Sequence, residues 1–259
     1  MKLFSVNDLK IYHKIKTGFF KHDLIKSVDG INFDVYKGET LAIVGESGCG
    51  KSSTAKLLVG IDKPTGGEIL FKNQDITKFN KNDWKNYRKS VQMIFQDPYS
   101  SLNPRWNIRQ IIEEPLILNT DLNSSERKDL VESTMSKVGL DPTYAKRFAH
   151  EFSGGQRQRI GIARALILQP EVIICDEPVS ALDVSIQAQV LNLLLDLQDE
   201  FKLTYIFISH DLSVVRHISD RMLVMNAGKI VESGSVEEIF NNPKDEFSRK
   251  LISSIPKIN

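Results

Sequence analysis

The sequence predicts an α/β fold built around a mostly parallel β-sheet. Four uninterrupted apolar runs have the length of central strands covered on both faces, at residues 41–44, 172–175, 205–208 and 222–225. Between the second and third runs, Ile186, Val190 and Leu197 fall on one face of a helix that Asp183 is placed to cap. Strand, helix and strand in succession is the pattern of a doubly wound sheet.

An antiparallel β subdomain is predicted near the amino terminus. Ile31, Phe33 and Val35 alternate with polar residues, as in a strand with one buried face. Residues 68–71 form a second short strand after the glycine-rich turn of residues 64–67. The two segments therefore favour an antiparallel sheet that is separate from the parallel core.

Residues 97–159 differ from the rest of the chain, because helical patterns rich in charge are interrupted there by Pro104, Pro115 and Pro142. We predict that they form a helical subdomain. It is inserted into an α/β core of residues 1–96 and 160–240, and residues 241–259 form a carboxy-terminal tail. Together these parts make one domain, residues 1–259.

The composition excludes several classes of protein. With 34 basic and 33 acidic side chains the net charge is +1, which gives no electrostatic argument for a nucleic-acid partner. The apolar stretches are too short to span a bilayer, and the amino-terminal residues lack a signal-peptide pattern. Two cysteines fit a reducing compartment. We expect a cytoplasmic protein whose contact with a membrane is made through partner proteins.

A glycine-rich loop follows the first apolar run and precedes a helix that begins near Lys51. Residues 45–52 match the pattern G-x-x-x-x-G-K-[ST], in which backbone N–H groups converge on phosphate oxygens. Lys51 would place a charge at the β- and γ-phosphates, and Ser52 would offer its hydroxyl to Mg²⁺. A glycine-rich turn with an incidental Lys-Ser is the alternative, and the flanking elements argue against it. We assign nucleotide binding to Gly45, Ser47, Gly48, Cys49, Gly50, Lys51, Ser52 and Ser53.

Two adjacent carboxylates end the second apolar run. Neighbouring side chains of a strand point to opposite faces, so Asp176 and Glu177 can serve different tasks. Asp176 is the natural partner of Mg²⁺, and Glu177 is the candidate to polarise an attacking water. An isolated Asp-Glu pair is more often a solvated strand end. Here Pro178 stops the strand at the edge where open α/β sheets bind ligands.

The third apolar run delivers His210 to the end of a strand. This side chain could donate a hydrogen bond to the γ-phosphate or hold the attacking water. Taken alone, a histidine after a strand is more often structural, so the assignment depends on the neighbouring motifs.

Residues 152–159 make the prediction specific. Their sequence, Phe152-Ser153-Gly154-Gly155-Gln156-Arg157-Gln158-Arg159, resembles the signature of the ABC transporter ATPase family. In the family's order, Gln96 resembles the Q-loop glutamine, Asp183 the D-loop aspartate and His210 the switch histidine. The resemblance covers essentially the whole chain. It departs from the usual pattern at Phe152, where leucine is common, and at Ser53, where threonine is common.

The resemblance implies a RecA-like P-loop core with a helical signature subdomain, and ATP and Mg²⁺ as cofactors. Ser52, Gln96 and Asp176 would be Mg²⁺ ligands, and Glu177, His210 and Gln96 would be catalytic. It also implies a head-to-tail pair with a second homologous ATPase subunit, or with a second copy of this chain. The signature residues would then face the partner's ATP, and a lone subunit should hydrolyse poorly; they are Ser153, Gly154, Gly155 and Gln156.

The finer pattern at residues 24–31, 95–105, 208–215 and 243–256 resembles the second ATPase subunit of oligopeptide, dipeptide and nickel importers. Such a subunit lies on the cytoplasmic face of the membrane against two transmembrane permease subunits, which receive substrate from an extracytoplasmic binding protein. Peptide uptake is the expected function. Nickel or metal-chelate uptake and a soluble non-transport ABC ATPase are the alternatives, whereas a P-loop kinase or GTPase would lack the signature and the D-loop.

The aromatic side chain that stacks on adenine is the least determined part of the site. Tyr12, Phe19 and Phe20 all lie in the variable stretch before the first strand of the core, and we prefer Phe20.

Overall fold

The computed structural model describes residues 1–16, 22–97 and 99–254. Elements are numbered along the whole chain. The strands are β1 (Lys2–Lys16), β2 (His22–Tyr36), β3 (Thr40–Val44), β4 (Gly66–Phe71), β5 (Gln74–Asp75), β6 (Val91–Ile94), β7 (Val172–Asp176), β8 (Thr204–Ser209), β9 (Arg221–Asn226) and β10 (Lys229–Ser235). The helices are α1 (Lys51–Leu58), α2 (Lys81–Ser90), α3 (Ile108–Asn119), α4 (Ser124–Lys137), α5 (Gly154–Leu166), α6 (Val184–Phe201), α7 (Leu212–Ile218), α8 (Val236–Asn241) and α9 (Glu246–Ser253).

The chain divides into two compact units. Unit 1 comprises Met1–Trp84 and Thr204–Asn259, and unit 2 comprises Lys85–Leu203. Within the described ranges, none of the helices is both long and apolar enough to span a membrane.

Unit 1 contains an antiparallel sheet with the strand order β2-β1-β4-β5. Ile31, Phe33 and Val35 are buried in it, as the alternation in the sequence predicts. The long strand β1 is not apparent from the sequence pattern, because its pairing with β2 shifts register several times and interrupts the two-residue period. Asp8, which lies at one of these shifts, has a φ of +47°.

The rest of unit 1 contains strands in the order β10-β9-β3-β8. β3 pairs in parallel with both β8 and β9, whereas β9 and β10 are antiparallel. Residues of β3 and β9 pack with α7 and α8 in a buried cluster that contains Ala42, Val44, Leu212, Val215, Met222, Val224, Val236 and Ile239. The parallel strands predicted from the apolar runs at 41–44, 205–208 and 222–225 are therefore confirmed.

Unit 2 contains the parallel pair β6 and β7 together with helices α3 to α6. Residues 172–176 are all buried, which explains the uninterrupted apolar run. Capping boxes at Asn107, Asn123 and Ser153 start three of the helices, because each side chain accepts a hydrogen bond from the helix backbone. Asp183 caps α6 as predicted.

Candidate functional site

The glycine-rich loop in unit 1 connects β3 to α1, which begins at Lys51. Gly45, Gly48 and Gly50 have φ values of +152°, +81° and +110°. A Cβ on Gly45 would lie 2.2 Å from the carbonyl oxygen of Met225, and one on Gly50 would lie 2.1 Å from that of Ser27. Only glycine fits at these two positions, because the loop backbone passes directly against neighbouring backbone.

Lys51 lies within this loop rather than in solvent. The residue is 5% exposed, and Nζ donates to the carbonyl oxygens of Gly45 at 2.8 Å and Glu46 at 3.0 Å. A buried ammonium at a helix amino terminus supplies positive charge where the backbone also offers unpaired N–H groups. These residues fit a bound phosphate chain.

The hydroxyl and thiol groups of the loop differ in exposure. Ser52 and Ser53 are half-buried on the first turn of α1, whereas Ser47 is exposed. Cys49 is 6% exposed, and burial raises the pKa of its thiol. The sulfur therefore stays protonated near neutral pH and fills space beside Gly45.

His210 follows β8 in unit 1, and its position is fixed by its neighbours. The backbone N–H of Asp211 donates to Ser209 Oγ at 3.0 Å, and Asp211 caps α7 through the N–H of Ser213 at 2.8 Å. Because Val44 and Ser209 are paired across β3 and β8, Gly45 and His210 both leave the same edge of these strands. The structure therefore brings His210 to the edge from which the glycine-rich loop starts.

Asp176 and Glu177 mark the end of β7 in unit 2. Asp176 is 5% exposed, as the last residue of the strand. Glu177 is half-buried and has a φ of +47°, a left-handed conformation that costs a residue with a side chain on the order of 1–2 kcal/mol. Such conformations cluster at functional sites.

Gln96 lies close to Glu177 in the same unit. β6 pairs with β7 so that Ile94 is opposite Cys175. Gln96 and Glu177 each follow two residues after these paired positions. Gln96 Nε2 donates to Glu177 Oε2 at 3.0 Å. Two of the three predicted catalytic residues are therefore in direct contact.

The signature residues form the start of α5. Ser153 Oγ accepts from the N–H of Gln156 at 3.3 Å, and Gln156 Oε1 accepts from the N–H of Ser153 at 3.0 Å. Gly155 is buried, and a Cβ there would lie 2.4 Å from Cγ2 of Ile186 on α6. Gly154 has more room, since its Cβ would lie 3.5 Å from Cδ2 of Leu182.

The D-loop residue Asp183 acts as a helix cap. Its Oδ1 accepts from Ser185 Oγ at 2.8 Å and from the N–H of Ile186 at 3.1 Å. These hydrogen bonds hold the pKa of Asp183 below its ordinary value. Gln187 joins the D-loop to α6, because its Nε2 donates to the carbonyl oxygens of Val179 and Leu182, both at 3.0 Å.

Of the three candidates for adenine stacking, only Tyr12 lies among the described residues. Its hydroxyl donates to Asp29, and Lys26 Nζ lies 5.3 Å from the ring centroid. The hydrogen bond to Asp29 raises the pKa of Tyr12 to about 12. Phe19 and Phe20 lie outside the described residues, and the preference for Phe20 stays a prediction.

Several residues that shape these positions are not evident from sequence patterns. The apolar spacing assigns Ile186 only to the buried face of a helix and gives no sign of its contact with Gly155. No motif includes Arg164, which donates to the carbonyl oxygen of Ser101 near Gln96. A signal for Arg164 is present nevertheless, because it lies seven residues after Arg157 and therefore on about the same face of α5.

A glycine-rich loop between a parallel strand and a helix, with a buried lysine at the start of that helix, defines a P-loop nucleotide-binding protein. Comparison with known proteins narrows this class. The family described as ABC transporter matches residues 28–180. The chain is 54% identical over 257 residues to the oligopeptide transport ATP-binding protein AppF of Bacillus subtilis strain 168, a match that covers 98% of this chain and 78% of that protein.

A second relative and two solved structures agree with this match. The dipeptide transport ATP-binding protein DppF of Escherichia coli K12 is 51% identical, over 99% of this chain and 77% of that protein. The ATP-binding cassette MJ0796, solved as a dimer in a post-hydrolysis state bound to ADP and Pi, has a TM-score of 0.80 at 26% identity, covering 90% of this chain and 99% of that one. The structure of cbiO1 from Clostridium perfringens has a TM-score of 0.80 at 29% identity, covering 99% of this chain and 97% of that one. The chain therefore belongs to the ABC transporter family, as an ATPase subunit.

Proposed function

We propose that this chain hydrolyses ATP to drive an importer that takes up peptides. The observation that carries the substrate class is the identity of 54% and 51%, over nearly the whole chain, to ATP-binding proteins of oligopeptide and dipeptide transport. Similarity at this level supports a common role. The substrate itself would be selected by the binding protein and the permease, which makes the peptide class a proposal about the assembled system.

The glycine-rich loop would hold the phosphate chain of ATP. Its backbone N–H groups and the amino terminus of α1 would donate to phosphate oxygens, and Lys51 would supply a positive charge close to them. We assign Mg²⁺ to Ser52, Gln96 and Asp176, whose hydroxyl, amide and carboxylate oxygens are hard ligands. The bound ion would neutralise charge on the β- and γ-phosphates.

Glu177 would serve as the general base. Its carboxylate accepts a hydrogen bond from Gln96, which orients the group, and a carboxylate can accept the proton of an attacking water. His210, held at its strand end by the turn of residues 209–211, would donate to the γ-phosphate or hold that water. The chemistry demanded of the protein is mainly positioning, since phosphoryl transfer needs little covalent participation.

The signature residues would act on the ATP of a second subunit. Ser153 and the first N–H groups of α5 would form an anion-binding helix terminus, as we propose for α1. The dimeric state of MJ0796 supports a paired arrangement. We propose a head-to-tail pair with a homologous ATPase subunit or a second copy of this chain. This pair would lie on the cytoplasmic face of the membrane against two permease subunits. An extracytoplasmic binding protein would deliver the substrate to those permease subunits.

The test is reconstitution of the chain with its partner ATPase, the permease subunits and the binding protein in vesicles, followed by measurement of ATP hydrolysis and of uptake of a labelled oligopeptide. We expect peptide-stimulated hydrolysis and uptake, both abolished by Lys51→Ala. Lys56→Ala is the matched control, because Lys56 is exposed on the same helix. Uptake of nickel without uptake of peptide would overturn the substrate class, and full activity of the Lys51 variant would overturn the phosphate-binding assignment.

A further inference from the structure

Two arginines of α5 contact the segment that carries Gln96. We call residues 95–101 the Gln96 segment; Pro98, within it, lies outside the described residues. Arg164 donates from a guanidinium nitrogen to the carbonyl oxygen of Ser101 at 2.6 Å, and its Cζ lies 5.9 Å from the ring centroid of Phe95. Arg157 lies over the ring of Tyr99, with 4.6 Å between Cζ and the ring centroid. The contacts therefore involve both ends of the segment and its middle.

Removing the charged guanidinium of Arg164 from water costs free energy, which its contacts must offset. Burial lowers the pKa of its guanidinium, and the charge of Glu114 opposes that effect. An arginine remains protonated even so, and a charge is therefore held in a largely buried place. The planar guanidinium can donate to a carbonyl along its edge while its face lies against an aromatic ring, which a lysine ammonium cannot do.

Contacts inside the Gln96 segment make it a structured turn. The N–H of Tyr99 donates to Asp97 Oδ1 at 2.8 Å, and the N–H of Ser101 donates to the carbonyl oxygen of Asp97 at 3.2 Å. The contacts of Ser101 and Phe95 with α5 therefore restrain the two ends of the segment, and these hydrogen bonds tie Asp97 and Tyr99 to the same turn. Gln96 directly follows Phe95 and reaches Glu177 from that position.

We propose that Arg164 is a positioning residue, which holds the Gln96 segment on the helix that begins at the signature residue Ser153. This proposal rests on the proposed function, in which Gln96 binds Mg²⁺ beside the general base Glu177. Arg164 would hold the amide of Gln96 in place for that role. Arg157 is the second anchor on the same face of α5. A displacement of α5 would thereby reach Gln96 through the side chains of Arg157 and Arg164, which belong to unit 2 as Gln96 does.

The first experiment measures hydrogen–deuterium exchange in the full-length chain without nucleotide, which needs no assumption about hydrolysis. Arg164→Met should increase exchange of the amides of Tyr99 and Ser101 about tenfold, as expected for losing a hydrogen bond from a charged donor. Arg164→Lys should give an intermediate increase, and it also serves if the methionine variant does not fold.

Arg159→Met is the matched control. Arg159 lies on the same helix, but its hydrogen bond goes to the carbonyl oxygen of Val138, at 2.7 Å, instead of to the Gln96 segment. Its replacement should increase exchange around residues 138–140 and leave residues 95–101 as in the wild type. Unchanged exchange of the Gln96 segment in Arg164→Met, or an equal increase in Arg159→Met, would overturn the anchoring.

The second experiment measures ATP hydrolysis against Mg²⁺ concentration after addition of the partner ATPase subunit. Arg164→Met should raise the half-saturating Mg²⁺ concentration about tenfold, the usual size for loss of a group that orients a metal ligand. Arg159→Met should leave it unchanged. Faster exchange with an unaltered Mg²⁺ dependence would overturn the positioning role. Absence of hydrolysis in the wild type would instead contradict the proposed function, while the exchange measurement still tests the anchor.

Discussion

The amide of Gln96 and the carboxylate of Glu177 are joined by a hydrogen bond of 3.0 Å, between Nε2 of the glutamine and Oε2 of the glutamate. Glu177 reaches this position from a left-handed backbone conformation immediately after a fully buried strand. The carboxylate is thus held at the strand end by its backbone and by the amide. The residue proposed to act on water, Glu177, and a residue proposed to bind the metal, Gln96, are therefore in direct contact.

Replacing Glu177 with glutamine should separate binding from hydrolysis. The amide has nearly the same shape but cannot accept a proton, so we expect hydrolysis to fall on the order of a hundredfold or more. ATP should still bind, because the glycine-rich loop is unchanged. The measurement is steady-state hydrolysis with the partner subunit, beside nucleotide binding to the variant. Turnover close to the wild-type rate would assign the base to another residue.

The left-handed conformation of Glu177 predicts an unusual order of stabilities for two other variants. Glu177→Gly and Glu177→Ala both remove the carboxylate, but only glycine adopts a positive φ without strain. We expect the glycine variant to be more stable than the alanine variant by about 1 kcal/mol, which is the reverse of the usual order. Urea unfolding of both proteins gives the comparison. Equal stabilities, or a more stable alanine variant, would contradict the strain.

Much of the fold follows from local patterns in the sequence. Apolar runs such as residues 41–44 predict parallel strands, because a strand that is buried on both faces needs apolar side chains at every position. Asp183 indicates the start of α6, because its side chain caps that helix. The residues of the glycine-rich loop can be identified in the same way. Each of these features depends on neighbours in the chain, which a pattern can record.

Features that depend on distant contacts cannot be predicted in this way. The close approach of Gly155 to Ile186 joins two helices, and the register shifts of β1 depend on its pairing with β2. The left-handed conformation of Glu177 has no marker in its residue type, since glutamate rarely adopts it. These details arise from packing, and they bear directly on the proposed site.

The contact of Gly155 with Ile186 predicts a pair of compensating substitutions. Gly155→Ala should place its Cβ 2.4 Å from Cγ2 of Ile186 and destabilise the protein by about 1–3 kcal/mol, since a branched side chain on a helix has little freedom to move. We expect the displaced signature residues to lower hydrolysis as well. Adding Ile186→Ala removes Cγ2 and should restore part of both the stability and the hydrolysis that Gly155→Ala loses. Both effects can be measured by thermal unfolding and by activity with the partner subunit.

Gly161→Ala is the control for this pair. Gly161 is on the same helix, and a Cβ there would meet no heavy atom of the described residues within 4 Å beyond its own helix backbone and chain neighbours. Alanine should therefore be neutral or stabilising at this position. If the double variant is no more active than Gly155→Ala, then the glycine is required at the partner's phosphate rather than for its packing against α6.

Glu113 and two arginines form an ion cluster in the helical part of unit 2. Glu113 is 7% exposed and accepts from Arg127 Nε at 2.6 Å and from Arg109 Nε at 3.0 Å. Burial raises the pKa of this carboxyl, but the hydrogen bonds from the two arginines outweigh it, so that the pKa lies below the ordinary 4.5. The cluster joins α3 to the start of α4.

A lowered pKa in the folded state means that ionised Glu113 stabilises the protein above about pH 4.5 and that this contribution is lost as the pH falls further. Glu113→Gln should therefore lower the free energy of unfolding by about 1–2 kcal/mol at neutral pH, with a smaller difference from the wild type near pH 3. Glu132→Gln is the control, because Glu132 pairs with Lys128 in solvent at 3.7 Å and should have little effect at either pH. A difference between the Glu113 variant and the wild type that is the same at both pH values would show that the side chain stabilises the helices through packing and not through its charge.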